Sequence, residues 1–312
     1  MKRISSASSI GSLIAVLLCS LPHLSLGADI LFFFGVSTHS HKEVVLPLIQ
    51  KLSDQGHNIS VFSIVPNSVA IEKELSKSKV IQVIPSGLLD EIGDKIDFLT
   101  VRLTEGVQGT DKLWSTFMDM GIKLCQVMMS RPDVIRWIKS SHYDVIVIDS
   151  LFNDCALGLV HYYNSSYVHL STSSPPPWSS ESYGYFDESY PELSYHYPAK
   201  MTFLQKVSNA MRSLYWHLTR RYYMFPFMES YINAGLELTE PVSLVNVENA
   251  VDLVLVNTHF AHEFPRALPP LVVPVGGMHC TEISTPLPEV SSLYFLAIPY
   301  SLLTKFVDHV IM

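Results

Sequence analysis

Ala28-Asp-Ile-Leu-Phe-Phe-Phe-Gly-Val-Ser-Thr-His-Ser-His41 is the stretch on which the reading of this 312-residue sequence turns. Apolar residues run without alternation from Ile30 to Phe34, the pattern of a strand buried on both faces of a parallel sheet. Gly35 breaks the run and a polar turn follows. A helical pattern then begins, with Val44, Val45, Leu48, Ile49 and Leu52 on one face, and stops at Gly56. Pro47 is read as an early position of that helix, where a missing N–H costs least. Ile59 to Val65 form a second strand pattern. The unit is β-α-β, and it places His41 where a strand's carboxyl end meets a helix N-terminus, the usual ligand edge of an open α/β sheet.

Outside this unit, composition narrows the answer. Hydrophobic residues make up 48% of the chain, enough for a sizeable core. The net charge of −8 and the lack of a basic patch argue against nucleic acid as a partner. Residues 1–27 are expected to be a signal peptide: Lys2 and Arg3 are followed by an apolar stretch from Ile10 to Leu21, and Ser25 and Gly27 precede a cut before Ala28. The alternative is an uncleaved anchor, for which the stretch is short. The mature chain is expected to enter the secretory pathway. Of four cysteines, Cys19 lies in the signal. Cys125, Cys155 and Cys280 are odd in number and widely spaced, which suggests neither a disulfide framework nor a zinc site. They read as small buried residues. Asn58 and Asn164 begin N-glycosylation sequons; Asn58 abuts a strand, and Asn164 is the better placed.

Further along, Val80 to Ile84 read as a third strand and 85–110 carry no clear pattern. Residues 111–130 read as a helix with Asp111 as candidate cap. Pro132 opens a short helix through Lys139. Tyr143 to Ile148 form another continuous apolar strand ending at Asp149. Cys155 to Tyr163 are helical and Tyr167 to Leu170 a strand. Residues 171–198, with Pro175-Pro-Pro177-Trp178, read as loop. Met201 to Met224 are helical, interrupted by Pro226. Val251 to Val256 and Leu271 to Val275 are later strands. Alternating strands and helices give an α/β fold, a Rossmann-like parallel sheet with helices on both faces.

His41 and Asp149 each follow a buried strand on its carboxyl side. In a parallel sheet both point to one edge. A His–carboxylate pair at a ligand cleft is equipped for general-base catalysis, since the carboxylate fixes the imidazole tautomer and stabilises its cation. The bland alternatives are a solvated helix-start histidine, with His39 beside it, and a helix N-cap aspartate. Gly-x-Ser-x-Gly, Walker and His-Glu-x-x-His signatures are missing, and no Gly-x-Gly-x-x-Gly follows the first strand. Trp114, Phe117, Met118, Met120, Met128 and Met129 could line an apolar pocket, but at helical spacing such residues are more often core.

Five stretches carry a resemblance: Ser40-His41; Leu52-Ser-Asp-Gln-Gly-His57; Tyr143-Asp-Val-Ile-Val-Ile-Asp149-Ser-Leu-Phe-Asn-Asp-Cys155; Val256-Asn-Thr-His259; and Pro269-Pro-Leu-Val-Val-Pro-Val-Gly-Gly-Met-His-Cys280. In this order and spacing the chain resembles the amino-terminal half of the UDP-glycosyltransferases, the animal UDP-glucuronosyltransferase family, over residues 28–289. The resemblance implies the first, Rossmann-like domain of a glycosyltransferase-B fold, which holds a small lipophilic acceptor. A second domain would hold the UDP-sugar, the co-substrate, and no cofactor or metal is implied for this half. His41 falls on the family's base and Asp149 on its partner carboxylate, for inverting transfer of a hexosyl or glucuronosyl group to an acceptor hydroxyl. Ser37, Phe152 and Ser173 are expected acceptor contacts.

The resemblance also implies the endoplasmic reticulum lumen, a role in detoxification, and oligomers with itself or other family members. Residues 290–312 do not resemble the family's continuation and make a poor spanning helix. The chain is therefore expected to be an incomplete half, without donor domain or anchor and inactive alone. The alternative is a non-catalytic isoform that binds lipophilic molecules or a full-length family member.

Overall fold

A computed structural model describes residues 27–92, 98–184, 191, 197–259, 261, 263 and 267–280. Residues 1–26 of the expected signal and the 290–312 tail lie outside them. The chain divides into units 1–279 and 280–312, and the architecture below belongs to the first.

Seven strands build one sheet: β1 (Asp29–Phe34), β2 (Asn58–Ser63), β3 (Val80–Val83), β4 (Val145–Asp149), β5 (Ser166–Ser171), β6 (Leu253–Val256) and β7 (Val272–Pro274). Their order is β3-β2-β1-β4-β5-β6-β7, and every pairing is parallel. This is the Rossmann-like α/β sheet that the uninterrupted apolar runs predict. Strand alternation sends Leu31, Phe33, Ile146 and Ile148 into one core and Ile30, Phe32, Phe34 and Val147 into the other. A strand buried on both faces needs both sets apolar, which is why Ile30 to Phe34 show no period of two. Chain order reverses between β1 and β4, the switch point where ligands bind in such sheets.

Helix α1 (His39–Asp54) and α2 (Val69–Leu75) cover one face, through Val45, Ile49, Ile71 and Leu75. Pro47 sits in the middle of α1 rather than in its first turn, because the helix already starts at His39. The carbonyl that loses its helical donor is that of Glu43, an exposed residue open to water. A short α3 (Leu88–Ile92) precedes α4 (Phe98–Ser130), α5 (Pro132–Ser140) and α6 (Cys155–Tyr163). Helix α4 begins well before residue 111, so Asp111 is no cap: it lies mid-helix and its Oδ1 accepts from Trp216 Nε1 at 3.3 Å. Gly106 and Gly109 weaken the helical signal there, yet the helix runs through both.

Helix α7 (Phe203–Thr219) does not end before Pro226. It runs through a π-turn (Arg220–Met224) into α8 (Phe225–Leu236), followed by α9 (Leu244–Asn249). The wider turn frees the ladder positions a proline cannot occupy, so Pro226 sits at the start of a new hydrogen-bonded segment. The same turn buries Arg220 (2% exposed) between Asp154 and Glu248, with Phe225 under its guanidinium at 4.5 Å. Burial pushes the Glu248 carboxyl up, against the pull of Arg220.

The cysteine reading is corrected. Cys125 of α4 and Cys155 at the start of α6 form a disulfide, with Cα atoms 5.3 Å apart and a sequence separation of 30. Spacing alone hides this pair, because only the packing of α4 beside α6 joins them. A disulfide closing a loop of this length stabilises by about 2–4 kcal/mol. Cys125→Ala with Cys155→Ala should lower the urea midpoint accordingly, and reductant should shift the native chain to the same value. Equal midpoints with and without the bond would contradict the assignment.

Candidate active site

The site is assembled at the carboxyl ends of β1, β4 and β5. Phe33 pairs with Ile148 across β1 and β4, so the segments after Phe34 and Asp149 emerge side by side. Thr38 is extended (φ −121°, ψ 171°) and begins α1, which puts His41 in the helix's first turn. Asp149 is the last residue of β4 and only 1% exposed. Residues 108 apart in sequence thereby meet: His41 Nδ1 lies 2.8 Å from Asp149 Oδ2. Thr172, just past β5, brings its Oγ1 to 3.2 Å from the same nitrogen. The Thr172 carbonyl is held by Asn257 Nδ2 at 3.1 Å.

An ionised carboxylate only accepts, so the Nδ1 proton points to Asp149 and Nε2 is left to take a proton from elsewhere. Burial works against a charged imidazole here, but the attraction and hydrogen bond of Asp149 outweigh it and raise the His41 pKa above its ordinary value. Asp149 Oδ1 has no donor among the described residues, so His41 is the group that offsets this buried charge. Asp149 does not cap α6; Asp154 stands at that N-cap. His39 is exposed at the helix start, apart from this pair.

A cavity of about 490 Å³ opens at His41. Its lining includes apolar side chains, among them Leu113, Trp114, Phe117, Leu151, Pro177 and Trp178. It also includes hydroxyls, among them Thr38, Ser40, Thr110, Ser150, Thr172 and Ser173. His41 is the imidazole among the lining side chains. Among the described residues no group of three or more His, Cys, Asp or Glu side chains could hold a metal ion.

Of the expected acceptor contacts, Ser173 lines the cavity and Ser37 and Phe152 do not. Ser37 Oγ donates to the Thr38 carbonyl at 3.3 Å. Phe152 is buried behind the wall and stacks on Trp178 with centroids 4.6 Å apart. Of the α4 residues singled out by spacing, Trp114 and Phe117 line the cavity, while Met118, Met128 and Met129 are core and Met120 packs against it. Sequence reasoning missed Thr172 as a His41 neighbour and Trp178 as a wall; the only signal was the Pro-rich run before Trp178. Both sequon asparagines are exposed, Asn58 bonded to Asp29 Oδ1 at 2.8 Å and Asn164 in a left-handed helix cap (φ 54°).

The raised His41 pKa fixes a pH dependence. A folded pKa above the unfolded value near 6.5 means the His41 contribution is fully present below that value. It is lost as pH rises through the folded pKa. The stability gap between the native chain and His41→Gln should therefore shrink as pH rises above about 6.5 in urea titrations. A gap that is constant, or widens, would contradict the pairing.

The chain is similar to known proteins. The family model described as "UDP-glucoronosyl and UDP-glucosyl transferase" matches residues 35–297. UDP-glucosyltransferase 2 of Dactylopius coccus is 25% identical over 287 residues, 88% of this chain and 52% of that protein. UDP-glucuronosyltransferase 2B7 of Homo sapiens is 24% identical over 263 residues, 80% of this chain and 49% of that protein. A solved structure of Phytolacca americana UGT2, complexed with UDP-2fluoro-glucose and pterostilbene, superposes with a TM-score of 0.42 at 11% identity, over 81% of this chain and 55% of that one. The chain spans about half the length of the curated relatives it matches. With its strand order, its His–Asp edge and a family match across most of its length, the chain belongs to the UDP-glucuronosyl and UDP-glucosyl transferase family.

Proposed function

We propose that this chain forms the acceptor-binding half of a UDP-sugar glycosyltransferase of the glycosyltransferase-B kind, with His41 as general base. The observation that carries the reading is the 2.8 Å His41–Asp149 pair, with His41 lining a cavity that Trp114, Phe117 and Trp178 also line. A small lipophilic acceptor packs against Trp114, Phe117 and Trp178, and its hydroxyl donates to His41 Nε2. As the acceptor oxygen attacks the anomeric carbon of the UDP-sugar, its proton passes to Nε2 and the bond from that carbon to the UDP oxygen breaks. The leaving electron pair goes to UDP, and attack from the opposite side inverts the anomeric centre. Asp149 holds the imidazole in the required tautomer and stabilises the imidazolium. The UDP-sugar is held by the second half of such an enzyme.

The Cys125–Cys155 disulfide supports a luminal, oxidising compartment, in keeping with the signal-like start. Among the described residues no helix is long and apolar enough to cross a membrane.

Radiolabelled UDP-sugar transfer, measured in the longest product of the gene, tests the reading. His41→Ala should lower kcat by about 10²–10⁴-fold while donor binding is retained. Asp149→Asn should also slow transfer, and the double variant should fall far short of the product of the two losses, because the residues act as a unit. An unchanged rate in folded His41→Ala would rule out the base. Turnover by the 312-residue chain alone would sink the binding-only alternative.

A further inference from the structure

The two segments that carry His41 and Asp149 touch through one buried side chain that does not touch the cavity. Asn153 is 1% exposed and sits in the β4–α6 connection. Its Oδ1 accepts from Val36 N at 2.6 Å, and its Nδ2 donates to the Val36 carbonyl at 3.0 Å. The same Nδ2 donates to the Asp149 carbonyl, also at 3.0 Å. One amide thus closes a two-way bridge to the β1–α1 connection and ties it to the last residue of β4. A primary amide suits such a bridge because it is the short side chain that both donates and accepts; an aspartate in its place would lose both donations.

The neighbourhood is shaped to admit the bridge. A Cβ at Gly35 would stand 2.7 Å from Asn153 Oδ1 and 2.3 Å from Leu124 Cδ2, so the β1–α1 connection passes close only as glycine. Phe152 takes a left-handed conformation (φ 50°), which turns Asn153 back beneath the strand ends. On its other side the connection is anchored by the Asp154–Arg220 pair and the Cys155–Cys125 disulfide. Neighbouring residues therefore fix the β4 side to the body of the protein, and Asn153 alone among them reaches the segment that leads to His41.

We infer that Asn153 is a positioning residue, whose amide sets the spacing and alignment of the His41–Asp149 pair by clamping the two connections together. The inference rests on the transferase reading for its purpose but not for its test. Asp149 is the charged group facing the imidazole; Lys42, next along α1, is turned away and bonded to Ser63 Oγ, the Val65 carbonyl and Asn67 Oδ1.

The test is the titration of the His41 imidazole, followed by NMR in the 312-residue chain. Asn153→Ala should lose the upward displacement of the His41 midpoint, because burial persists while alignment with Asp149 weakens. Asn153→Leu keeps the approximate volume without adding a charge, and serves where the alanine variant does not fold. In an Asp149→Asn background neither change should move the midpoint further. Tyr163→Phe, which deletes a buried hydrogen bond to the Ile138 carbonyl away from the site, is the control: it should lower thermal stability and leave the midpoint in place. In the longest gene product, Asn153→Ala should reduce kcat by about 10- to 100-fold with KM little changed. An Asn153 variant that folds with a native His41 midpoint would overturn the inference. A displaced midpoint with undiminished transfer would uphold the clamp and instead count against His41 as the base.

Discussion

Everything at this site depends on the parallel pairing of β1 with β4. The two strands are far apart in sequence and adjacent in the sheet because chain order reverses between them. Their register, Phe33 opposite Ile148, brings both carboxyl ends to one level. From there a short connection and one turn of helix carry the imidazole to the carboxylate. A shift of one position along either strand would exchange the faces of Phe32, Phe33 and Phe34 and of Val147 and Ile148, all of them buried. The strand pairing thus sets the level at which the His41 and Asp149 segments leave the sheet.

The pair is not held by attraction alone. Burying a carboxylate is unfavourable, and Asp149 is nearly inaccessible with one oxygen unpartnered among the described residues. A lone imidazole contact would leave that charge free to shift. The connection after β4 prevents this through four successive residues, each tethered to a different place. Phe152 stacks on Trp178, Asn153 bridges to Val36, Asp154 pairs with Arg220, and Cys155 is bonded to Cys125. The tethers join the cavity wall, the β1 connection, the π-turn and α4. Fixed groups of this kind would suit the base proposed above, because their orientation is settled in advance.

The strands and the His–Asp edge were legible because each is written locally. Ile30 to Phe34 and Val145 to Ile148 are unbroken apolar runs, and a polar residue at the end of such a run marks the ligand edge. What stayed hidden depends on contacts distant in sequence. The disulfide needs α4 to lie along α6. The early part of α4 carries two glycines, so periodicity does not announce its helix. Pro226 signals a break, yet the π-turn accommodates it and uses the widened turn to bury Arg220. Asn153 lay inside a recognisable stretch, but nothing in its neighbours says that its amide faces Val36, more than a hundred residues earlier.

Central to the proposed chemistry is an acceptor hydroxyl that meets His41 Nε2 inside the cavity at the β1–β4 edge. A crystal structure of the 312-residue chain soaked with a simple planar phenol tests it most directly. The ring is expected against Trp114 and Trp178, with its hydroxyl oxygen about 2.6–3.2 Å from Nε2. A phenol bound in this cavity with its hydroxyl turned away from His41, or bound only elsewhere on the chain, would contradict it.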